Sequence, residues 1–117
     1  MKLPNRQAAR VPREKIVDYL LSDAHPRGRN KEAFFRRFGY AAERWEELAY
    51  ALRQHAIVHD VATAEVSPFG MRYNIVGKIV AIDGRTPNVM SVWFIDIGET
   101  IPRLISAYPG PKRKDDK

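Results

Sequence analysis

The chain has 117 residues, of which 44% are hydrophobic and 10% aromatic, and this composition suits one folded domain with a modest core. It has no cysteine, which excludes a disulfide framework, a thiolate zinc site and a cysteine nucleophile. The 20 Lys and Arg residues outnumber the 14 Asp and Glu residues, and the formal net charge of +6 favours encounter with polyanions such as nucleic acids.

The sequence has no apolar run of the roughly 18 residues that cross a membrane. Its first residues, MKLPNRQAARVPREK, lack the apolar centre of a signal peptide. We therefore expect a soluble protein of a bacterial-type cytoplasm that does not bind membranes. Delivery by another machine or as part of a fusion stays open. No metal or other cofactor is expected, and the oligomeric state is not indicated.

The N-terminal half predicts about three helices. In VPREKIVDYLL (residues 11–21), Ile16, Tyr19 and Leu20 have the spacing of one buried helix face. The segment SDAHPRGRN interrupts the pattern, and Asn30 is suited to cap a second helix that ends at Gly39. The apolar face of that helix consists of Phe34, Phe35 and Phe38. A third helix carries the apolar stripe Trp45, Leu48, Ala49, Leu52 and Ala56.

The period changes from 3.6 to 2 near Ile57, which predicts strands for the rest of the chain. Turn signals at SPFG, Asp83-Gly84 and Gly98-Glu99 separate the strand patterns. The four predicted strands are IVHDVATAEV, MRYNIVGKIVAI, NVMSVWFIDI and IPRLISAY. The order predicts an α+β domain over residues 1–109, with N-terminal helices packed on a four-stranded antiparallel meander. Residues 110–117 read as a flexible charged tail.

Alternation places Val89, Ser91, Trp93 and Ile95 on one face of the third strand, but both faces carry apolar residues, so the buried face is not determined. Ser106 and Tyr108 point the same way in the fourth strand and could line a groove; alternatively, Tyr108 covers the core edge and Ser106 faces water. Trp93 could be a core residue or a platform on which an RNA base stacks.

The stretch HPRGRNK (residues 25–31) collects a histidine and several cations at the start of the second helix. A metal-independent ribonuclease needs a group that exchanges protons near neutral pH, and histidine has that property. It also needs cations or backbone N–H groups to stabilise the phosphorane. His25, Arg29 and Lys31 would satisfy both needs, whereas a basic solvated loop is the plain alternative.

Other site types find little support. His55 and His59 are four residues apart but straddle the predicted change from helix to strand, and His55 reads as a helix-end histidine. The G-x-S-x-G motif of hydrolases is absent, as are phosphate-loop and dinucleotide-binding signatures. The sequence therefore does not favour a metal site, a serine hydrolase, or an ATP- or nicotinamide-dependent enzyme.

From Lys2 to Pro109 the chain resembles a bacterial domain-of-unknown-function family. The resemblance depends on KIVDYLL, HPRGRNKEAFF, FGMRY and VWFIDIGETIPRLISAYP in combination. It implies a setting in which small genes lie beside a possible partner gene, in a toxin–antitoxin-like arrangement, or in which the domain belongs to a bacterial polymorphic toxin. A cognate antitoxin or immunity protein is then an expected partner.

More loosely, the helices, the four-stranded sheet and the closing ISAYP resemble the barnase, EndoU, colicin and RelE superfamily of metal-independent ribonucleases. That resemblance implies proton transfer by His25 and RNA as the partner. The remaining roles it implies are charge neutralisation by Lys31 and Arg103, phosphate positioning by Ser106 and Tyr108, and RNA binding by Arg27, Arg29 and Trp93.

Two departures stand against that pattern. Ser106 occupies a position where threonine is expected in the closing motif, and no second histidine lies on the sheet. The acid–base pair is therefore incomplete, although Tyr108 or Lys31 could complete it. The leading hypothesis is a toxin-like endoribonuclease. The alternative is a non-enzymatic binding module, either the inhibitor of such a pair or a phage or secretion adaptor, and simple nucleic-acid binding is a third option.

Overall fold

The computed structural model describes residues 1–25 and 29–111. An extended N-terminal segment with a 3₁₀ turn (Arg6–Ala8) leads into a short helix, α1 (Arg13–Lys15), which continues into a turn of π-helix (Ile16–Leu20). Helix α2 (Arg29–Arg37) follows. A 3₁₀ turn (Ala42–Arg44) then precedes α3 (Trp45–Val58).

Four strands complete the domain: β1 (Val61–Ser67), β2 (Gly70–Lys78), β3 (Asn88–Asp96) and β4 (Arg103–Pro109). They form one antiparallel sheet in the order β1-β2-β3-β4. The predicted α+β class, with helices on a four-stranded meander, is confirmed.

The helices cover the sheet face that carries Val89, Ser91 and Trp93, and this settles which face is buried. The core between helices and sheet is continuous and includes Ile16, Leu20, Phe35, Leu48, Leu52, Ile75, Val89, Trp93 and Leu104. Each fully buried aliphatic side chain of this kind contributes about 1.5–3 kcal/mol. The apolar stripe predicted for the third helix is the face that α3 buries.

Helix α2 differs from the prediction at its start and agrees at its end. Asn30 lies inside the first turn rather than capping it, because the helix begins at Arg29. At the other end Gly39 has φ +98° and donates its N–H to the carbonyl of Arg36, while Tyr40 N–H bonds the carbonyl of Phe35. This is a Schellman stop, for which glycine is the favoured residue.

The observed strands differ from the predicted ones in their ends and in the alternation of β4. The first two strands were predicted over residues 57–66 and 71–82, whereas β1 is Val61–Ser67 and β2 is Gly70–Lys78. Helix α3 continues through Ile57 to Val58, and His59 N–H still bonds the carbonyl of His55, so the strand preference of the two β-branched residues does not end the helix.

In β4 the pairing shifts, so that Leu104 faces Trp93 while Ser106 faces Val92. The side-chain alternation of β4 therefore breaks at Ile105, the extra residue of this bulge, whereas Ser106 and Tyr108 face Val92 and Met90 and point the same way, as predicted.

The end of the chain is described only as far as Pro111. Gly110 N–H bonds the carbonyl of Asn88, and the side-chain amide of Asn88 bonds the carbonyl of Pro111. The first two residues of the predicted flexible tail are thus tied to β3, and residues 112–117 lie outside the described part. Within residues 1–25 and 29–111, no helix has the length and apolar character needed to cross a membrane.

Candidate functional site beside strand β4

Tyr19 lies at the centre of a cluster of polar and cationic side chains beside β4. It belongs to the π-helical turn, in which Leu21 N–H bonds the carbonyl of Ile16 at 2.7 Å, five residues back. Such turns tend to occur at functional sites. The Tyr19 hydroxyl lies 3.5 Å from Ser106 Oγ on β4, a long hydrogen bond between residues 87 apart in the chain.

Two of the predicted site residues contact the Tyr19 ring. The ring of His25 meets it edge-on, with 5.0 Å between centroids. Lys31 Nζ, from the first turn of α2, lies 5.2 Å from the Tyr19 centroid and 5.9 Å from that of Tyr108. Lys15 Nζ, one helical turn before Tyr19, lies 5.5 Å from the Tyr19 centroid. We call Tyr19, His25, Lys31, Ser106 and Tyr108 the Tyr19 cluster.

The Tyr19 hydroxyl has an altered acidity. Partial burial raises its pKa, but the hydrogen bonds from Ser106 and Lys31 and the positive charges of Lys31 and Lys15 outweigh burial, so the pKa lies below the usual value for tyrosine. Each of these neighbours stabilises the phenolate relative to the phenol. Tyr19 is therefore a stronger proton donor than an ordinary tyrosine.

The cluster borders an open cavity of about 470 Å³. Its lining residues are Glu14, Lys15, Asp18, Tyr19, His25 and Ile105. The cavity thus brings the imidazole of His25, the acidified phenol of Tyr19, the ammonium of Lys15 and two carboxylates to one surface. These groups can donate and accept protons and can attract an anion.

Four of the predicted site residues are brought together: His25, Lys31 and Ser106 each contact Tyr19, and Tyr108 joins them through Lys31. The Tyr108 hydroxyl donates to Met90 Sδ at 2.9 Å, so Tyr108 offers the face of its ring rather than its hydroxyl to Lys31.

Arg103 is held elsewhere, contrary to the expectation. Its guanidinium forms a two-pronged ion pair with Asp96, with Nε–Oδ2 at 2.8 Å and Nη2–Oδ1 at 3.0 Å. The bonds to Arg103 lower the pKa of Asp96, and those to Asp96 raise the pKa of Arg103. Along the sheet Arg103 lies two register positions from Ser106, about 7 Å, because Arg103 faces Phe94 and Ser106 faces Val92. The ion pair with Asp96 holds the Arg103 guanidinium at the end of β3, so Arg103 does not join the Tyr19 cluster.

The three residues expected to bind RNA differ in where the structure places them. Trp93 is fully buried and donates its indole N–H to Ser91 Oγ at 2.8 Å, so it is a core residue and offers no face to a base. Arg29 is exposed at the start of α2, and its N–H donates to the carbonyl of His25 at 3.0 Å, so that amide is already engaged. Arg27 lies outside the described residues.

His55 and His59 are committed to backbone carbonyls. His55 lies in the last turn of α3, as predicted, but it is buried, and its Nε2 bonds the carbonyls of Gly77 and Val89, each at 3.0 Å. His59 Nε2 bonds the carbonyl of Lys78 at 2.8 Å. In the described part of the chain, no three His, Asp or Glu side chains lie close enough together to hold a metal ion.

Sequence reasoning assigned Tyr19 only to the buried face of the first helix. Its spacing to Ile16 and Leu20 is that of core residues, and nothing local separates a core tyrosine from one whose hydroxyl faces a cavity. The one usable signal is Lys15, which an α-helical i, i+4 spacing places beside Tyr19.

The fold of this protein also occurs in a protein of known structure. A chain from the contact-dependent growth inhibition toxin–immunity protein complex of Klebsiella pneumoniae 342 superimposes with a TM-score of 0.74 over 92% of this chain and 97% of that one, at 16% sequence identity. The two proteins thus share a fold. No curated protein sequence matches the chain significantly. The model of the domain of unknown function DUF6883 matches residues 2–111, and the chain belongs to that family.

Proposed function

We propose that this protein is a toxin-like, metal-independent endoribonuclease whose active site is the Tyr19 cluster. The observation that carries the proposal is the Tyr19 hydroxyl, acidified by Ser106 and Lys31 and in ring contact with His25 at an open cavity. Tyr19 is the second proton-transfer group, the role for which the sequence suggested Tyr108 or Lys31. The fold shared with a chain of a growth-inhibition toxin–immunity complex supports a toxin-related role.

In the proposed reaction, His25 removes the proton from an RNA 2′-hydroxyl, and the oxygen attacks the adjacent phosphorus. Tyr19 protonates the departing 5′-oxygen, so the products are a 2′,3′-cyclic phosphate and a free 5′-hydroxyl. Lys31 offsets the extra negative charge on the phosphorane and stabilises the tyrosinate left after proton donation. Ser106 is a positioning residue, since it acts through the Tyr19 oxygen.

The test is incubation of the purified full chain with total RNA in EDTA, beside Tyr19→Phe and His25→Ala. Removing one general acid or base is expected to slow cleavage about 10²–10⁴-fold. Tyr50→Phe is the matched control, because it deletes an exposed tyrosine hydroxyl on α3, and it should cleave like the wild type. Intact RNA with the folded wild type, or equal cleavage by Tyr19→Phe and Tyr50→Phe, would refute the proposal.

The alternative is a non-catalytic partner, such as the inhibitor of a toxin. The observation in its favour is that the similar solved chain comes from a complex containing both a toxin and its immunity protein. Expression of the gene alone in a bacterial host separates the two. A ribonuclease arrests growth and its Tyr19→Phe variant does not, whereas an inhibitor is tolerated in both forms.

A further inference from the structure

A second, larger concavity lies along α3, on residues that the Tyr19 cluster does not use. It measures about 680 Å³, within the size range of binding sites. Four of its apolar residues are well exposed, from 46% for Ile82 to 75% for Val80, with Tyr50 and Val58 between them. One wall is α3 and the other is the chain that continues β2 beyond Lys78; we call this the α3 groove.

The second wall is an unpaired strand edge. Beyond β2, Ile79 N–H bonds the carbonyl of Pro87 and Ala81 N–H bonds that of Arg85, both on the β3 side. Backbone groups of successive residues in an antiparallel pair point to opposite sides, so those of Val80 point away from β3. Among the described residues, neither the N–H nor the C=O of Val80 has a hydrogen-bond partner. Strand β1 does not cover this position, because its pairing with β2 ends at Ile75.

The two ends of the groove carry opposite charges. Glu46 and Glu47 lie at the end near Ile82, whereas Lys78 lies at the end near Val58, where His59 bonds its carbonyl. Glu47 pairs with Arg44, but neither Glu46 nor Lys78 forms an ion pair within the described part of the chain. An apolar channel with an acidic end does not suit RNA.

We propose that the α3 groove binds an extended segment of a partner protein, which adds a strand to the Val80 edge. From Glu46 to Val58 the groove runs about 18 Å, the length of about five or six extended residues. Backbone bonds to Val80 supply affinity, and alternate apolar side chains pack against Tyr50 and Val58. A basic residue of the segment faces Glu46 and an acidic one faces Lys78. The inference does not depend on the proposed ribonuclease activity.

The test begins with selection of a phage library of random twelve-residue peptides against the full chain. The expected consensus alternates apolar residues and carries Lys or Arg at one end and Asp or Glu at the other. The consensus peptide is then synthesised, and its Kd is measured by fluorescence anisotropy. Tyr50→Asp, which places a charge on the apolar wall, and Val80→Pro, which removes the edge N–H, should each weaken binding at least about tenfold.

Two controls make the result specific. Val66→Asp, at an 81% exposed position on β1, should leave the Kd unchanged. Glu46→Lys should weaken binding, and a peptide whose facing cation is replaced by glutamate should restore it. No enriched sequence, or binding that the groove variants do not weaken, would overturn the proposal. A concentration-dependent dimer that Tyr50→Asp disrupts would assign the groove to a second copy instead. RNA cleavage is measured for the same groove variants. A failure of the proposed peptide binding can then be distinguished from a failure of the proposed ribonuclease activity.

Discussion

At the scale of single residues, His55 illustrates how a buried polar group is satisfied. Two carbonyls face its Nε2, and carbonyls only accept, so Nε2 carries the proton. Nδ1 must then accept from the Ser91 hydroxyl at 2.8 Å, and Ser91 Oγ in turn accepts the Trp93 indole N–H. Each polar group of the hydrogen-bond network formed by His55, Ser91 and Trp93 has a partner, so the network joins α3 to the sheet without an unsatisfied buried group.

The His55 network makes stability depend on pH. Burial lowers the pKa of His55 to about 4, although the carbonyls of Gly77 and Val89 act in the opposite direction. Between about pH 6.5 and 4, the imidazole of His55 binds a proton in the unfolded chain but not in the folded one. The free energy of unfolding should therefore fall by roughly 3 kcal/mol as the pH drops from 6.5 to 4, and stay at its full value above 6.5.

Urea unfolding at a series of pH values measures this loss. His59→Ala is the matched control, because it deletes the neighbouring, more exposed histidine, and it should retain most of the slope. A flat profile between pH 6.5 and 4 would show that His55 is not held neutral by the fold.

At the scale of elements, the β1–β2 hairpin depends on Gly70. Its φ is +146°, and a Cβ at this position would lie 2.1 Å from the Ile95 carbonyl oxygen. Gly70→Ala should therefore destabilise the protein by at least about 2 kcal/mol, since a backbone collision adds to the strain of positive φ.

Gly98→Ala provides the comparison for this prediction. Gly98 has φ +80° in the β3–β4 turn, and a Cβ there meets no atom within 4 Å. Only the conformational cost of about 1–2 kcal/mol then applies. Thermal or urea unfolding of both variants measures the difference, and equal losses of stability would contradict the role assigned to the Ile95 carbonyl.

At the scale of the whole molecule, the net charge of +6 bears on the proposed binding of RNA. Each contact with a phosphate of single-stranded RNA contributes about −0.7 to the slope of the logarithm of the binding constant against the logarithm of the salt concentration. A site that makes three such contacts, for example, has a slope of roughly −2. Lys31→Gln in an inactive Tyr19→Phe background should reduce the steepness by about 0.7. Lys78→Gln, in the α3 groove, should not. Fluorescence anisotropy with a labelled RNA measures both, and a slope that Lys31→Gln leaves unchanged would remove Lys31 from the proposed RNA-binding site.

The sequence by itself determined the order and the type of the helices and strands. Apolar spacing in α3, alternation in β3 and turn signals such as Asp83-Gly84 are local patterns, and local patterns report the period of the chain and its reversals. The stop of α2 at Gly39 was predictable for the same reason. The composition of HPRGRNK also pointed to His25 and Lys31 without any knowledge of their neighbours.

Only the tertiary structure decided what those residues meet. Tyr19 gains its acidity from Ser106, 87 residues away, and Arg103 is engaged by Asp96 across a turn. Trp93 is buried because the helices pack against its side of the sheet, although both faces of the sheet carry apolar residues. The π-turn and the β4 bulge rotate side chains out of the positions that ideal periods assign. Such outcomes depend on proximity between distant segments, and spacing along the chain does not encode proximity.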